Sequence, residues 1–323
     1  MTKMIVVEQT GGPEVMRVEE QSLGAPPAGQ VSIRVAACGV NFIDTYFRTG
    51  LYPRPLPFVN GMEGAGTITA LGDGVDDLKV GDRVAWSAVP GSYAEEVLAA
   101  PSSLIRLPEE VSEETAAAAM LQGMTAHYLA HGVRTTRPGD IALVHAAAGG
   151  TGLLLVQTLK NAGATVFGTC STDAKEQLAR AAGADEIIRY DDVDFADEAR
   201  KLTDGAGVNV VYDGVGQSTF EGSLRALETR GLLALFGQAS GPVPPFDLSR
   251  LNGLGSLFVT RPSLIHYIAT RQEFEERAGA VLDAIAAGQL EIRIGARFPL
   301  ARVADAHRAL EGRATTGKVL LMP

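Results

Sequence analysis

The chain predicts a two-domain α/β protein, with a β-rich half of short strands and a half built on a doubly wound parallel sheet. Three observations carry that prediction. Short runs alternating apolar and polar residues recur through the first hundred positions, with turn residues between them. From Ile141 onward, strand-like apolar runs alternate with helix-like segments. Where the two halves meet, residues 141–152 read as strand, small-residue turn and helix start.

In the N-terminal half the runs are Val31–Val35, Gly66–Leu71, Arg83–Ser87 and Ala94–Ala99, separated by turns such as Gly72-Asp73-Gly74 and Gly81-Asp82. Strands this short and this regularly spaced predict a small barrel. Acidic residues at Glu109, Glu110, Glu113 and Glu114 then precede an alanine-rich stretch, Thr115–His131. Negative charge at the N-terminal end suits a helix dipole, so this stretch is expected to be a helix bridging the halves.

Ile141–Val144 is announced by Pro138-Gly139-Asp140 and followed by Ala147-x-Gly149-x-x-Gly152, with alanine where the dinucleotide fingerprint starts with glycine. Gly149 is expected to let the backbone approach a pyrophosphate, and Gly152 to let the helix pack close to its strand. The helix amides then face the phosphate charge. Further strands are expected at Ala164–Thr169, Glu186–Tyr190, Val208–Asp213 and Gly231–Gly237, with helices at Asp173–Ala182, Phe195–Leu202 and Phe220–Leu227. Ligands of such sheets lie over the carboxyl ends of the strands, where Gly149, Ser171, Tyr190, Gly214 and Gly237 fall. The C-terminal part loses this rhythm. A long helix at Leu264–Ala287, a strand at Leu290–Ile294, a helix at Val303–Leu310 and a strand at Lys318–Met322 are expected to return to the first domain. The division is therefore 1–120, 121–260 and 261–323.

Composition narrows the function. The net charge of −10 argues against a nucleic-acid surface. Cys38 and Cys170 are too few for a disulfide framework or a four-thiolate zinc site. No apolar run is long enough for a signal peptide core or a membrane span, so a cytoplasmic protein is expected. His127 and His131 stand four apart, a metal spacing, but no cysteine or carboxylate cluster completes a site. His145, at a strand end, reads as a packed core residue or as a hydrogen-bond donor behind the site, and Trp86 as core.

Two stretches, Cys38–Pro53 and Gly61-Met62-Glu63-Gly64-Ala65-Gly66, join the glycine turn in a larger pattern. With Asn41-Phe42-Ile43-Asp44-Thr45-Tyr46, Ala146–Gly152, Val259-Thr260-Arg261-Pro262-Ser263 and Arg313-Ala314-Thr315-x-Gly317, the whole chain resembles the medium-chain dehydrogenase/reductase superfamily. Within it the resemblance is to the NADPH:quinone oxidoreductases, the group that includes zeta-crystallin. This implies a GroES-like β-barrel domain, a Rossmann domain, a cleft between them and a homodimer, with Leu248–Thr260 available for pairing across a two-fold axis.

Zinc-dependent alcohol dehydrogenases of that superfamily carry a cysteine ligand after Cys-Gly-x and a histidine ligand before Glu-Gly-x-Gly. Here those positions hold Asn41 and Met62. An amide and a thioether cannot replace thiolate and imidazole on Zn²⁺, so no metal is expected. Without a Lewis acid the acceptor must already be primed for hydride: a quinone, or another electrophile such as an activated alkene. The resemblance places Asn41 and Tyr46 at the nicotinamide and ribose and Tyr52 toward the acceptor, where it would matter more for an enone than for a quinone. Asp44 and Arg48 read as an ion pair shaping that loop.

The second nucleotide-domain strand ends at Cys170-Ser171 without the acid that binds an NAD ribose, and Asp173 looks like a helix cap. The resemblance gives Ser171, Lys175, Tyr190 and Arg313 to the 2′-phosphate of NADPH. Thr125, Gly149, Gly150, Thr151, Gly152, Gly214, Phe236 and Gly237 complete the expected cofactor site. Two rival functions share the fold: reduction of enones or enoyl thioesters, and a crystallin-like protein binding NADPH or RNA.

Overall fold

In the computed structural model, which describes Met1–Pro323, the chain divides into two units: Met1–Met124 with Ile268–Pro323, and Thr125–Tyr267. The first unit opens with β1 (Thr2–Val7), β2 (Met16–Gln21), β3 (Val31–Val40), α1 (Phe42–Thr49) and β4 (Phe58–Val59). It continues through β5 (Glu63–Leu71), β6 (Arg83–Trp86), β7 (Glu96–Ala99) and β8 (Ile105–Arg106), and leaves along α2 (Glu113–Tyr128).

The second unit alternates strand and helix: β9 (Ile141–Val144), α3 (Gly150–Asn161), β10 (Thr165–Cys170), α4 (Asp173–Ala181), β11 (Glu186–Arg189) and α5 (Phe195–Lys201). Then come β12 (Val208–Asp213), α6 (Phe220–Ala226), β13 (Leu227–Leu235), α7 (Ser249–Gly253), β14 (Phe258–Thr260) and α8 (Leu264–Tyr267). The chain finally re-enters the first unit as α9 (Arg271–Ala286), β15 (Ile294–Pro299), α10 (Val303–Glu311) and β16 (Lys318–Met322).

Two sheets enclose the core of the first unit. One has the order β2-β1-β4; the other runs β15-β16-β3-β5-β6-β8, with β7 also paired to β3. Ile5, Val31, Ile33, Val84, Trp86 and Tyr93 are fully buried between them. The last strand, β16, pairs antiparallel with β3, Val319 opposite Val40. Lys318 is thereby carried to the Asn41 end of β3, 277 residues away in sequence.

The second unit is a six-stranded parallel sheet in the order β11-β10-β9-β12-β13-β14. Renumbered within the unit this is 3-2-1-4-5-6, the dinucleotide-binding order, whose switch point lies between β9 and β12. Val210, Val211 and Tyr212 stand in register with Ala142, Leu143 and Val144. Strands covered on both faces need continuous apolar sequence, which is why these runs do not alternate.

Several expected boundaries shift, each for a local reason. The long helix expected at Leu264–Ala287 is two helices, α8 and α9, because Thr270 and Glu273 form a reciprocal capping box that starts a new one. The strand expected at Leu290–Ile294 begins only at Ile294, after the turn at Gly288 with φ +69°. The α2 helix stops at Tyr128, and Leu129–Val133 is wound as a π-helical turn. Thr172, rather than Asp173, is the N-cap of α4; its hydroxyl accepts from Lys175 N at 3.3 Å.

Candidate active site

Each unit carries its own group of site residues. In the second unit the carboxyl ends of β9, β10 and β12 meet at one buried polar network. His145, just past β9, bonds Thr169 of β10 through Nδ1 and Ser223 of α6 through Nε2, each at 3.0 Å. Ser223 and Thr219 donate to Asp213 Oδ2 at 2.9 and 2.7 Å, and the Val215 and Gly216 amides donate to Oδ1 at 2.8 and 3.0 Å. One carboxylate thus folds the Gly214–Thr219 loop. Burial lowers the His145 pKa, against the opposing pull of Asp213, so the ring bridges two hydroxyls as a neutral imidazole. Asp213, Ser223 and Thr169 were not anticipated from the sequence; the only sign was an acid closing a strand just before Gly214-Val215-Gly216.

The glycines above this network are sterically required. A Cβ on Gly152 would lie 2.3 Å from the Ala146 carbonyl oxygen, and one on Gly237 would lie 2.4 Å from that of Gly214. The Phe236 ring covers Gly214 closely enough that a Cβ there would meet it at 2.9 Å. Gly149 is less confined, with 3.1 Å to the same Ala146 oxygen. Gly149 also begins α3 without any side-chain cap, so the first-turn amides of Gly150, Thr151 and Gly152 have no side-chain acceptor. This corner fits a dinucleotide pyrophosphate: donors at a helix start, beside backbone with no room for a side chain. Ser171 and Lys175 lie at the end of β10 and the start of α4, and Tyr190 follows β11 with its ring half-exposed. Thr125 is nearly buried, at the start of this unit.

In the first unit, Asn41 is held rather than presented. Its Nδ2 donates to Glu63 Oε2 at 2.7 Å and to the Gly39 carbonyl at 3.3 Å, and its Oδ1 accepts from Lys318 Nζ at 2.7 Å. Lys318 Nζ also reaches Glu63 Oε2 at 2.5 Å, and the other Glu63 oxygen accepts from Leu121 N at 2.6 Å. Gly39 is needed beside this triad, since a Cβ would lie 2.3 Å from Glu63 Oε2. The donor set is wrong for zinc. At the positions that the resemblance assigns to thiolate and imidazole in zinc-dependent dehydrogenases stand Asn41 and Met62, an amide and a thioether, and the Lys318 ammonium pairs with Glu63. No group of three or more histidine, cysteine and acidic side chains gathers anywhere to hold a metal, the His127–His131 pair included.

Tyr46 and Tyr52 pack edge to face with ring centres 5.3 Å apart, and Phe47 lies 6.1 Å from Tyr52. Arg313 follows α10 in the left-handed region, φ +57°, with its side chain exposed. The expected Asp44–Arg48 ion pair is absent. Arg48 turns to Glu311, at 2.6 and 3.1 Å, and to His307 at 3.1 Å. Asp44 Oδ2 instead accepts from the Asn41 amide and the Tyr93 hydroxyl, each at 2.8 Å. Burial pushes the Asp44 carboxyl up to about 7.

A β unit followed by a 3-2-1-4-5-6 sheet with a glycine corner is the architecture of a dinucleotide-dependent protein of the dehydrogenase class. Family models agree with that class: an alcohol dehydrogenase GroES-like domain matches residues 27–131, and a zinc-binding dehydrogenase domain matches 150–284. A quinone oxidoreductase of Pseudomonas aeruginosa is 44% identical over 100% of both chains. A 2-haloacrylate reductase of a Burkholderia species is 42% identical over 100% of this chain and 99% of that one. The crystal structure of Escherichia coli quinone oxidoreductase complexed with NADPH superposes with a TM-score of 0.97, at 41% identity and 100% coverage of each chain. The chain belongs to the quinone oxidoreductase family of the medium-chain dehydrogenase/reductase superfamily.

Proposed function

We propose that this protein is an NADPH-dependent quinone reductase that works without zinc. The observation that carries this reading is the buried Asn41–Lys318–Glu63 triad. It ties Asn41, one of the two residues that the resemblance sets at the zinc-ligand positions of alcohol dehydrogenases, to a lysine ammonium, so the acceptor would be one that needs no Lewis acid. Bound NADPH would supply a hydride from C4 of its nicotinamide. The amides of Gly150, Thr151 and Gly152 would hold the pyrophosphate where it passes Gly149, whose own amide donates to the Ala146 carbonyl at 2.8 Å, and Ser171, Lys175, Tyr190 and Arg313 would hold the 2′-phosphate. Thr125, Gly214, Phe236 and Gly237 would line the remainder.

Both amide hydrogens of Asn41 are already committed. What it can offer a ligand is one lone pair on Oδ1 and a loop fixed in place. Tyr46 would hold the ribose end, and Tyr52 would face the acceptor. A hydroquinone anion takes its proton from water, so quinone reduction asks little of Tyr52.

The 42% identity to a 2-haloacrylate reductase supports a second reading, reduction of an activated alkene on the same residues. That reaction leaves a carbanion-like centre, and the Tyr52 hydroxyl would then supply the proton.

A homodimer is part of this proposal. β14 is the edge of the parallel sheet, and Phe258 on it is 61% exposed, an apolar edge suited to pairing with its symmetry mate. A cytoplasmic location is supported by two cysteines that are buried and unpaired. No helix is long and apolar enough to cross a membrane.

The test is NADPH oxidation followed with ortho-quinones, para-quinones and enones in parallel, each repeated with NADH and with a chelator. Quinone turnover with NADPH that a chelator leaves unchanged is expected. Turnover of enones alone would move the assignment to alkene reduction.

A further inference from the structure

In a doubly wound sheet, NADH and NADPH are told apart at the carboxyl end of the second strand, where an acid takes the ribose 2′-hydroxyl or a cation takes the 2′-phosphate. Here that end is Cys170-Ser171, and the side chain covering it comes from the neighbouring strand. Arg189, the last residue of β11, stands in register with Cys170. Its Nη2 donates to the Ser171 carbonyl at 3.0 Å, and its Nη1 is bound to Asp173. Glu176 and Asp192 lie farther off, at 3.9 and 4.0 Å. The Nε hydrogen is buried and makes no hydrogen bond.

The two partners differ sharply in their surroundings. Arg189 is 25% exposed and pinned to main chain, whereas Asp173 is 90% exposed. An ion pair with so exposed a carboxylate is readily exchanged for water or for a better anion. A phosphate monoester carries about −1.5 to −2 charges and three acceptor oxygens, and it suits the guanidinium fork better than one carboxylate does. A displaced Asp173 would remain in the first turn of α4, where the helix dipole favours it.

We propose that Arg189 is a specificity-determining residue for the 2′-phosphate, and that Asp173 is its resident counter-ion, which the phosphate displaces. This rests on the NADPH reading above and adds to it a cation and a built-in competitor.

The experiment is fluorescence titration of the full-length protein with NADPH and NADH at one ionic strength, using wild type, R189Q, R189K, D173N and R189Q/D173N, with melting curves for each. R189Q should weaken NADPH about tenfold and leave NADH within about twofold, since only NADPH carries the phosphate. R189K, keeping the charge without the fork, should fall between. D173N should tighten NADPH by roughly two- to fivefold, and the double variant should lose that gain, because Asp173 acts through Arg189. Equal losses for both cofactors, or none, would overturn the role of Arg189. Weaker NADPH binding by D173N would make Asp173 a support and overturn the competitor. Wild-type protein that binds NADPH no tighter than NADH would instead remove the NADPH reading beneath the proposal, and the proposal with it. If R189Q does not fold, R189K and D173N decide the matter on the same criteria.

Discussion

Lys318 Nζ lies 2.5 Å from Glu63 Oε2, with the lysine side chain 1% exposed and the glutamate 0%. A pair this deep has lost its hydration, so its worth depends on both members being present. K318M leaves the Glu63 carboxylate buried without its cation, and unfolding by denaturant should show a loss of about 3–5 kcal/mol. E63Q strands the ammonium in turn. The double variant K318M/E63Q removes both charges and should cost clearly less than the sum of the singles. Additive losses would show that the pair is not coupled.

The glycine corner separates packing from cofactor binding. G152A drives a methyl group into the Ala146 carbonyl, 2.3 Å away, and overpacking of that kind costs about 1–3 kcal/mol. Its melting temperature should fall. G149A meets the same oxygen at 3.1 Å, which a small shift relieves. It should melt near wild type and yet bind NADPH more weakly, because the methyl group would stand where a phosphate approaches. Equal melting losses in the two would overturn this division.

Tyr52 distinguishes the two acceptor classes. Y52F should leave quinone turnover within about threefold, while any enone turnover should drop by on the order of 10²-fold or more if the hydroxyl is the proton donor. Parallel loss on both substrates would make the ring, rather than the hydroxyl, the contribution of Tyr52.

The network around Asp44 gives a signed pH dependence. Burial pushes the Asp44 carboxyl up to about 7, against the Tyr93 and Asn41 hydrogen bonds and the Lys318 charge; burial, helped by Arg48, holds His307 down to about 3. Between the usual carboxylate value and pH 7 the folded chain keeps an Asp44 proton that the unfolded chain has released, so this group destabilises the fold as pH rises. Between pH 3 and the usual imidazole value the unfolded chain holds a His307 proton that the folded chain lacks, so this group stabilises the fold as pH rises. The two slopes oppose each other in the overlap. H307Q removes only the second slope. Its stability relative to wild type should therefore climb as pH falls from 6.5 to 5, by on the order of 1–2 kcal/mol. Parallel curves would show that His307 is not held neutral.

Much of the cofactor half was legible because it is local. A parallel strand, its turn and the following helix are contiguous in sequence, so Ile141–Gly152 announced its own geometry, and the apolar runs at Thr165–Cys170 and Val208–Asp213 followed the same rule. One misplaced boundary failed for an equally local reason, and one misjudged contact for a distant one. The Thr270–Glu273 capping box lay inside an apolar pattern that spans the break between α8 and α9, and the pattern masked it. The Asp44–Arg48 spacing suited a helical ion pair, but buried Tyr93, His307 and the half-exposed Glu311, all distant in sequence, offered better partners.

The sequence by itself determined the class of fold, the glycine corner, the residues standing where a metal would be ligated and the family to which they point. Only the tertiary structure decided what those residues are joined to. Asn41 is locked by Lys318 because β16 pairs beside β3, Asp213 folds the Gly214–Thr219 loop through two amides and the hydroxyls of Thr219 and Ser223, and Arg189 reaches Ser171 across the β10–β11 ladder. Each depends on polar groups that separate elements bring together, and the Lys318 and Asp213 side chains are buried as well. Periodicity reports which face of an element is buried, but not which partner is buried against it.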